Sequence, residues 1–430
     1  MFAWIMTYRV DYASFLTTID AICAVVMLYL LVRRPSRRWF LIALAAVVIG
    51  VVAGLIACWL TSDVLDVFGV SLTPVTRMWV CLGFAGIAIA VVNLWPSRWW
   101  RKAVAIVSVP LFVVAAAAGI NVDFGAYRNL NDAFGVDPYP ALTLAHETAN
   151  SMAQAQVTTQ DWTPPAGMPT RGRIGTVSIP GTVSHFDARP AVVYLPPAAL
   201  VVNPPTLPVM IVFSGQPGSP ADLFTAGRLD SVLNAFASTH NGLAPIVVSP
   251  DQLLRPNFNP MCIDSPLGHS ATYVMVDVMN WIRGNLRVSR DASSWAVGGY
   301  SQGATCALQF GAAHPDRFGT ILAISSELGP TIGPSTVAKA FGGSKAAYAA
   351  AMPAAVMARN APYASELAIF AVGQADTRYT RFAKTLLSAA DNARMTTQFV
   401  VSPRTAHDWN TVRYSLRATI PGIAAHMGLK

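Results

Sequence analysis

Apolar positions are spread unevenly along the 430 residues. They crowd into the first 121, in four runs at 14–32, 39–60, 77–95 and 103–121 that carry almost no charge. A run of roughly 20 apolar residues at 1.5 Å per residue matches a hydrocarbon core about 30 Å thick. Helices in a soluble core rarely continue this long unbroken, so the pattern predicts four membrane-spanning helices. A cleavable signal peptide does not account for the first run. Arg9 and Asp11 make no basic leader, and three further spans follow.

The pattern changes after residue 121. Residues 122–172 read as a connector, with a short helix over 140–156 and then a stretch from Asp161 to Pro169 too rich in Pro and Gly for regular structure. From 173 to 430, short runs of Val, Ile and Phe alternate with longer helical segments. Strands are expected at 173–179, 189–195, 208–213, 245–249, 294–298, 319–325, 366–372 and 396–401. Helices are expected at 220–239, 270–287, 302–313, 335–358, 376–392 and 409–427. Two opening strands followed by βα units predict one α/β domain, a mostly parallel eight-stranded sheet covered on both faces.

Charge orients the spans. The first loop holds Arg33, Arg34, Arg37 and Arg38, and the third Arg98, Arg101 and Lys102; the second holds Asp63 and Asp66, with Arg77 at its edge. Basic loops stay cytoplasmic, which places the N-terminus and everything after the fourth span outside. Trp39, Trp59, Trp79, Trp95, Trp99 and Trp100 lie near span ends, as interfacial anchors do. Only 12 % of the chain is charged and the net charge is +8. Nine Lys and Arg face four Asp and Glu up to residue 121, and 21 face 18 beyond it. Much of the basicity is therefore topological and makes no case for nucleic-acid binding. Asp20 is the one acid well inside a span, about six residues in, where an interfacial position suits it. Cys23, Cys58 and Cys81 fall in spans as packing residues; Cys262 and Cys306 fall in the outer domain.

One motif carries chemistry. Gly299-Tyr300-Ser301-Gln302-Gly303 follows an apolar strand and opens a helix. A G-x-S-x-G pentapeptide alone recurs by chance in roughly one chain of this length in seven; between strand and helix it is the nucleophile elbow of the α/β-hydrolase fold. The serine sits on a strained turn, and side chains two before and two after it would collide. Such a serine needs a base, and in this fold the acid and then the histidine follow it. Three histidines follow Ser301. His314 reads as a cap after the elbow helix, and His426 lies close to the C-terminus. His407 lies in the loop after the last strand, where the base belongs. Asp376 ends the seventh strand and is placed to hold the His407 ring; Asp408 competes, but adjacency in sequence aims it poorly. The oxyanion hole needs two backbone donors. Gln302 supplies one. Gly215 or Gln216 supplies the other, because Pro217 has no N–H.

These residues resemble the esterase D family of α/β hydrolases, the group that includes the mycolyltransferases of actinobacteria. The resemblance covers about residues 174–427 and rests on the stretch from Arg189 to Pro196, the elbow, the run His314-Pro315-Asp316-Arg317-Phe318 and His407-Asp408-Trp409. It implies acyl-ester chemistry through Ser301, His407 and Asp376, an oxyanion donor at Gln216, and no metal or cofactor. Many esterases of the group have His-Gly where this chain has Ser214-Gly215, which leaves that donor open. The four-span part lies outside the resemblance and is similar to that of actinobacterial membrane esterases. In such proteins the loop holding Met261, Cys262 and Asp264 lines the site. A Cys262–Cys306 disulfide tying that loop to the elbow helix is expected, with Asp264 near substrate.

Three functions compete: an extracytoplasmic serine esterase, an acyltransferase that moves an acyl group to a sugar hydroxyl of the cell envelope, and a non-catalytic scaffold or transporter built on the spans. The first two share an acyl-enzyme. The expected partners are a lipid bilayer and an acyl ester or envelope glycolipid. No feature fixes an oligomeric state.

Overall fold

The computed structural model describes residues 3–33, 36–67, 69–95, 97–136, 139–144 and 158–429. Arg34 of the first basic loop lies outside them. So does most of the helix expected over 140–156, whose described residues 140–144 are not helical. The chain divides into two compact units: Met1–Val136 with Ala406–Trp409, and Asp137–Thr405 with Asn410–Lys430.

The first unit is built on four helices, each long and apolar enough to cross a membrane. They are α1 (Ala13–Leu31), α2 (Arg37–Cys58, continued by a π turn over Trp59–Val64), α3 (Pro74–Val92) and α4 (Trp99–Phe124). Helix α3 starts three residues before its apolar run, because Pro74 suits a first turn and the Thr73 side chain accepts the Thr76 N–H. A seam of small residues joins α2 to α3. A Cβ on Gly50 would lie 2.6 Å from the Ala85 Cα, so only glycine permits this backbone approach. Leu30, Ala46, Ile89, Ala105 and Phe112 fill the interior, while Val25, Leu28, Ile49, Ile106 and Val107 face outward.

Polar contacts hold this unit at both ends of its helices. At one end Arg101 donates to the carbonyls of Tyr29, Leu30 and Val32, closing the carbonyl end of α1, and to Asn93 Oδ1. At the other end Asp123 accepts from Thr73 and Thr76, and Arg77 pairs with Asp63 at 2.7 Å.

The second unit is an α/β fold around eight strands: β1 (Arg173–Val177), β2 (Ala191–Leu195), β3 (Val209–Phe213), β4 (Ile246–Ser249), β5 (Trp295–Tyr300), β6 (Thr320–Ile324), β7 (Leu367–Gly373) and β8 (Thr396–Ser402). Their order is β1-β2-β4-β3-β5-β6-β7-β8. Strand β2 runs antiparallel to β1 and β4, and every other pair is parallel. Strands β2 to β6 are buried along their whole length, which is why they read as unbroken apolar runs. The connector extends the sheet at its β1 edge. Thr176 N–H donates to the Pro140 carbonyl, and the Thr176 carbonyl accepts from Leu142 N–H.

Three expected helices are interrupted. The segment 220–239 breaks at Arg228, whose φ is 58°, leaving α5 (Leu229–Thr239). The segment 270–287 carries a π turn at Tyr273–Val278. The segment 335–358 splits into three, at Gly342 and Gly343 with positive φ and again before Pro353.

Candidate active site

Strand β5 lies between β3 and β6 and delivers Ser301 at its carboxyl end. Ser301 has φ 56° and ψ −118°, a conformation costly for a residue with a Cβ. Helix α6 (Gln302–Ala313) begins at the next residue. The flanking glycines are a packing requirement. A Cβ on Gly299 would lie 2.4 Å from the Gly303 backbone, and one on Gly303 would lie 2.3 Å from the Ser214 carbonyl. Ser301 N–H donates to the Ile324 carbonyl at 2.8 Å, pinning the turn to β6.

The start of the elbow helix is equally constrained. Gln302 N–H stands at the first position of α6, where helix N–H groups lack intrahelical acceptors. Its buried side chain is clamped: Nε2 donates to Asn259 Oδ1 at 2.9 Å and to Cys306 Sγ at 3.2 Å, and Oε1 accepts from Gln252 Nε2 at 3.1 Å. Gln252 also donates to the Ser214 carbonyl at 2.8 Å, so one network joins the loop after β3 to the elbow. Cys262 and Cys306 form a disulfide, with their Cα atoms 5.4 Å apart, and fasten the loop after β4 to α6. Gly215 is buried against Ser301; a Cβ there would meet the Ser301 Cβ at 3.4 Å. Gln216 is exposed, and its side chain donates to the Asn257 carbonyl. Arg189 steadies this loop by pairing with the fully buried Asp251 and donating to the Gly218 carbonyl.

Asp376 follows β7 and caps helix α7 (Thr377–Asn392), its Oδ1 accepting the Tyr379 N–H at 3.1 Å. His407 lies between β8 and helix α8 (Trp409–His426). Both side chains are buried. The loop that leads to His407 is fastened to the loop that leads to Asp376 three times: Gln374 N–H donates to the Ser402 carbonyl, Ala375 N–H to the Thr405 carbonyl, and Arg404 N–H to Gln374 Oε1, each at 2.9 Å. Asp408 turns its Oδ2 back to the Ala406 N–H at 2.7 Å.

Asp264 lies in the loop after β4. Its carboxylate accepts from Thr272 Oγ1 and N–H, and it borders a cavity of about 410 Å³ with Cys262, Gln309, Ala313 and His314. That cavity follows the C-terminal half of α6, whereas Ser301 stands at the N-terminus. His314 caps the end of α6, and His426 ends α8. Among the described residues no group of three or more His, Cys, Asp or Glu could hold a metal ion.

Two side chains not singled out by the sequence lie at the elbow. Tyr379 is buried; burial first, then the charges of Glu327 and Asp376, push the phenol well above its usual pKa, against a small opposing influence of Ser301. Glu327 follows β6, and its N–H donates to Thr305 Oγ1, one turn along α6 from Ser301. Burial pushes its carboxyl up to about 7, against the opposing hydrogen bond with Thr305. No motif announces either residue, since each reaches the elbow from a separate strand end.

Comparison with known proteins agrees with this geometry. The sequence model of the family described as "Putative esterase" matches residues 187–418. An uncharacterized protein of Corynebacterium glutamicum is 32 % identical over 329 residues, covering 74 % of this chain and 75 % of the relative. Among solved structures, an S-formylglutathione hydrolase from Agrobacterium tumefaciens superposes with a TM-score of 0.52 at 17 % identity, over 60 % of this chain and 97 % of that one. A ferulic acid esterase gives 0.50 at 18 %, over 60 % and 99 %. At these identities the two structures establish the shared fold.

Proposed function

We propose, on the premise that this chain belongs to the putative esterase family of carboxylic ester hydrolases, that it is a membrane-tethered serine esterase with Ser301 as nucleophile, His407 as base and Asp376 as the acid that orients His407. The observation that carries this reading is the strained turn at Ser301 between β5 and α6, flanked by two glycines that admit no Cβ. Ser301 Oγ attacks the acyl carbonyl as its proton passes to His407 Nε2. The oxyanion is met by Gln302 N–H and by a donor in the loop at Gly215 and Gln216. Collapse expels the alcohol, which takes the proton from His407, and leaves an acyl-enzyme. Water, deprotonated by His407, then releases the acid and restores Ser301.

The basic residues around Arg33 and Arg101 support a reading in which that end of the helices faces the cytoplasm and the catalytic domain lies outside. A tether of this kind favours substrates met at a bilayer. A second reading therefore has a sugar hydroxyl of an envelope glycolipid, in place of water, receiving the acyl group. Fluorophosphonate labelling of wild type and Ser301→Ala tests the core of the proposal: labelling is expected to vanish in the variant, and undiminished labelling would refute it. Labelled acyl donors with and without sugar acceptors then separate hydrolysis from transfer.

A further inference from the structure

Ser301 stands at one end of α6, and a second place with chemistry of its own lies toward the other. A cavity of about 410 Å³ runs beside the C-terminal half of the helix, walled also by the loop after β4, the segment 270–287 and the helix Pro353–Asn360. Small-molecule sites span roughly 300–1,000 Å³, so the volume suits a ligand of modest size. Gln309, in its wall, lies about 12 Å along the helix axis from Ser301.

Met275, Phe310 and Val356 give the cavity an apolar side. Gln309 is 8 % exposed, and its Oε1 is buried with no hydrogen-bond partner among the described residues. A buried amide oxygen left unpaired costs stability, and a leucine in its place would not carry that cost. Half a turn about χ3 exchanges Oε1 with Nε2, so this amide can offer the cavity an acceptor or a donor. At the rim, exposed Asp264 and Arg359 bring one charge of each sign. The two bonds from Thr272 use two of the roughly four acceptor positions of the Asp264 carboxylate, and Arg359 spends one N–H on the Ala350 carbonyl. Burial holds the pKa of His314 below its usual value, so its ring is neutral and offers one donor and one acceptor.

These features select among ligands. An ion of either sign meets both rim charges and gains little. A wholly apolar molecule leaves the Gln309 amide unpaired. A neutral ring bearing several hydroxyls suits every group: each hydroxyl donates to the carboxylate, accepts from the guanidinium or does either with the amide, while the C–H faces pack on the apolar side. A sugar is such a ring. We propose that the cavity beside α6 is a second binding site, for a sugar residue, with Gln309, Asp264 and Arg359 as its hydrogen-bonding groups. The site is separate from Ser301 and stands whether or not the esterase reading does.

The test uses the full-length chain in a detergent without a sugar headgroup. Saturation-transfer NMR is run with the methyl glycosides of glucose, galactose, mannose and arabinose, each beside a longer oligosaccharide of the same sugar. At least one glycoside is expected to bind wild type with a Kd of about 0.1–10 mM. Gln309→Leu is expected to weaken that binding about 10-fold or more and Arg359→Ala about 3- to 10-fold, while Ser301→Ala binds as wild type does. Tighter binding of the oligosaccharide marks the end of a glycan as the ligand, and equal binding a free sugar. Should Gln309→Leu fold poorly, Arg359→Ala at the exposed rim decides. Binding of none of the sugars overturns the proposal, as does binding that both wall variants leave unchanged. Binding lost in Ser301→Ala but kept in Gln309→Leu also overturns it, since the sugar then sits at the elbow. Failure of Ser301 to react with a fluorophosphonate would sink the esterase reading and leave this site untouched.

Discussion

At neutral pH the carboxyl of Glu327 is about half protonated, because burial lifts its pKa from an ordinary 4.5 to about 7. Between those values the folded protein holds a proton that the unfolded chain has released, so this group's contribution to stability falls as pH rises through the window. Glu327→Gln cannot ionise and escapes the loss. Its Tm relative to wild type is expected to be near zero at pH 4.5 and to rise by roughly 2–5 °C by pH 8; a difference independent of pH would contradict this. The same residue shows what the sequence could and could not reveal. Ser301, Asp376 and His407 were legible as positions because each follows a strand end in chain order. Glu327 and Tyr379 also follow strand ends, β6 and β7, but nothing near them in sequence records that the sheet brings both to the elbow.

The elbow helix is held from outside as well as from within. The disulfide joins α6 to the loop after β4, and that loop's Asn259 holds the side chain of Gln302. Replacing both Cys262 and Cys306 by Ser is expected to cost about 2–4 kcal/mol by freeing a loop closed across 44 residues. It should also lower kcat more than it raises KM, since it loosens Gln302, the residue proposed to supply an oxyanion donor. Thermal unfolding and steady-state kinetics of the double variant check both parts. Element types were readable because buried parallel strands are short β-branched runs and the helices between them are long. Breaks were harder to see. Alanine-rich sequence around 345–351 sustains a helical pattern on both sides of turns that depend on Gly342, Gly343 and Pro353.

On the scale of the whole molecule, the charge pattern makes a prediction that hydrophobicity alone cannot. In intact cells, a cysteine at the fully exposed Val202 should react with an impermeant maleimide, and one at the exposed Arg98 only after permeabilisation. Equal labelling at both would reverse or abolish the assigned topology. The four apolar helices were readable because each is written as one long, continuous apolar run. Their mutual packing was not, since it depends on single close approaches such as Gly50 against Ala85.

The short pairing of Thr176 with Pro140 and Leu142 bears on where the enzyme can be cut free of its helices. β1 is the outermost strand, and a fragment starting at Arg173 would expose its Thr176 amide and carbonyl as a template for the next molecule. The residues that look like mere tether are thus also the hem of the sheet, and a soluble enzyme has to keep them from Tyr139 onward.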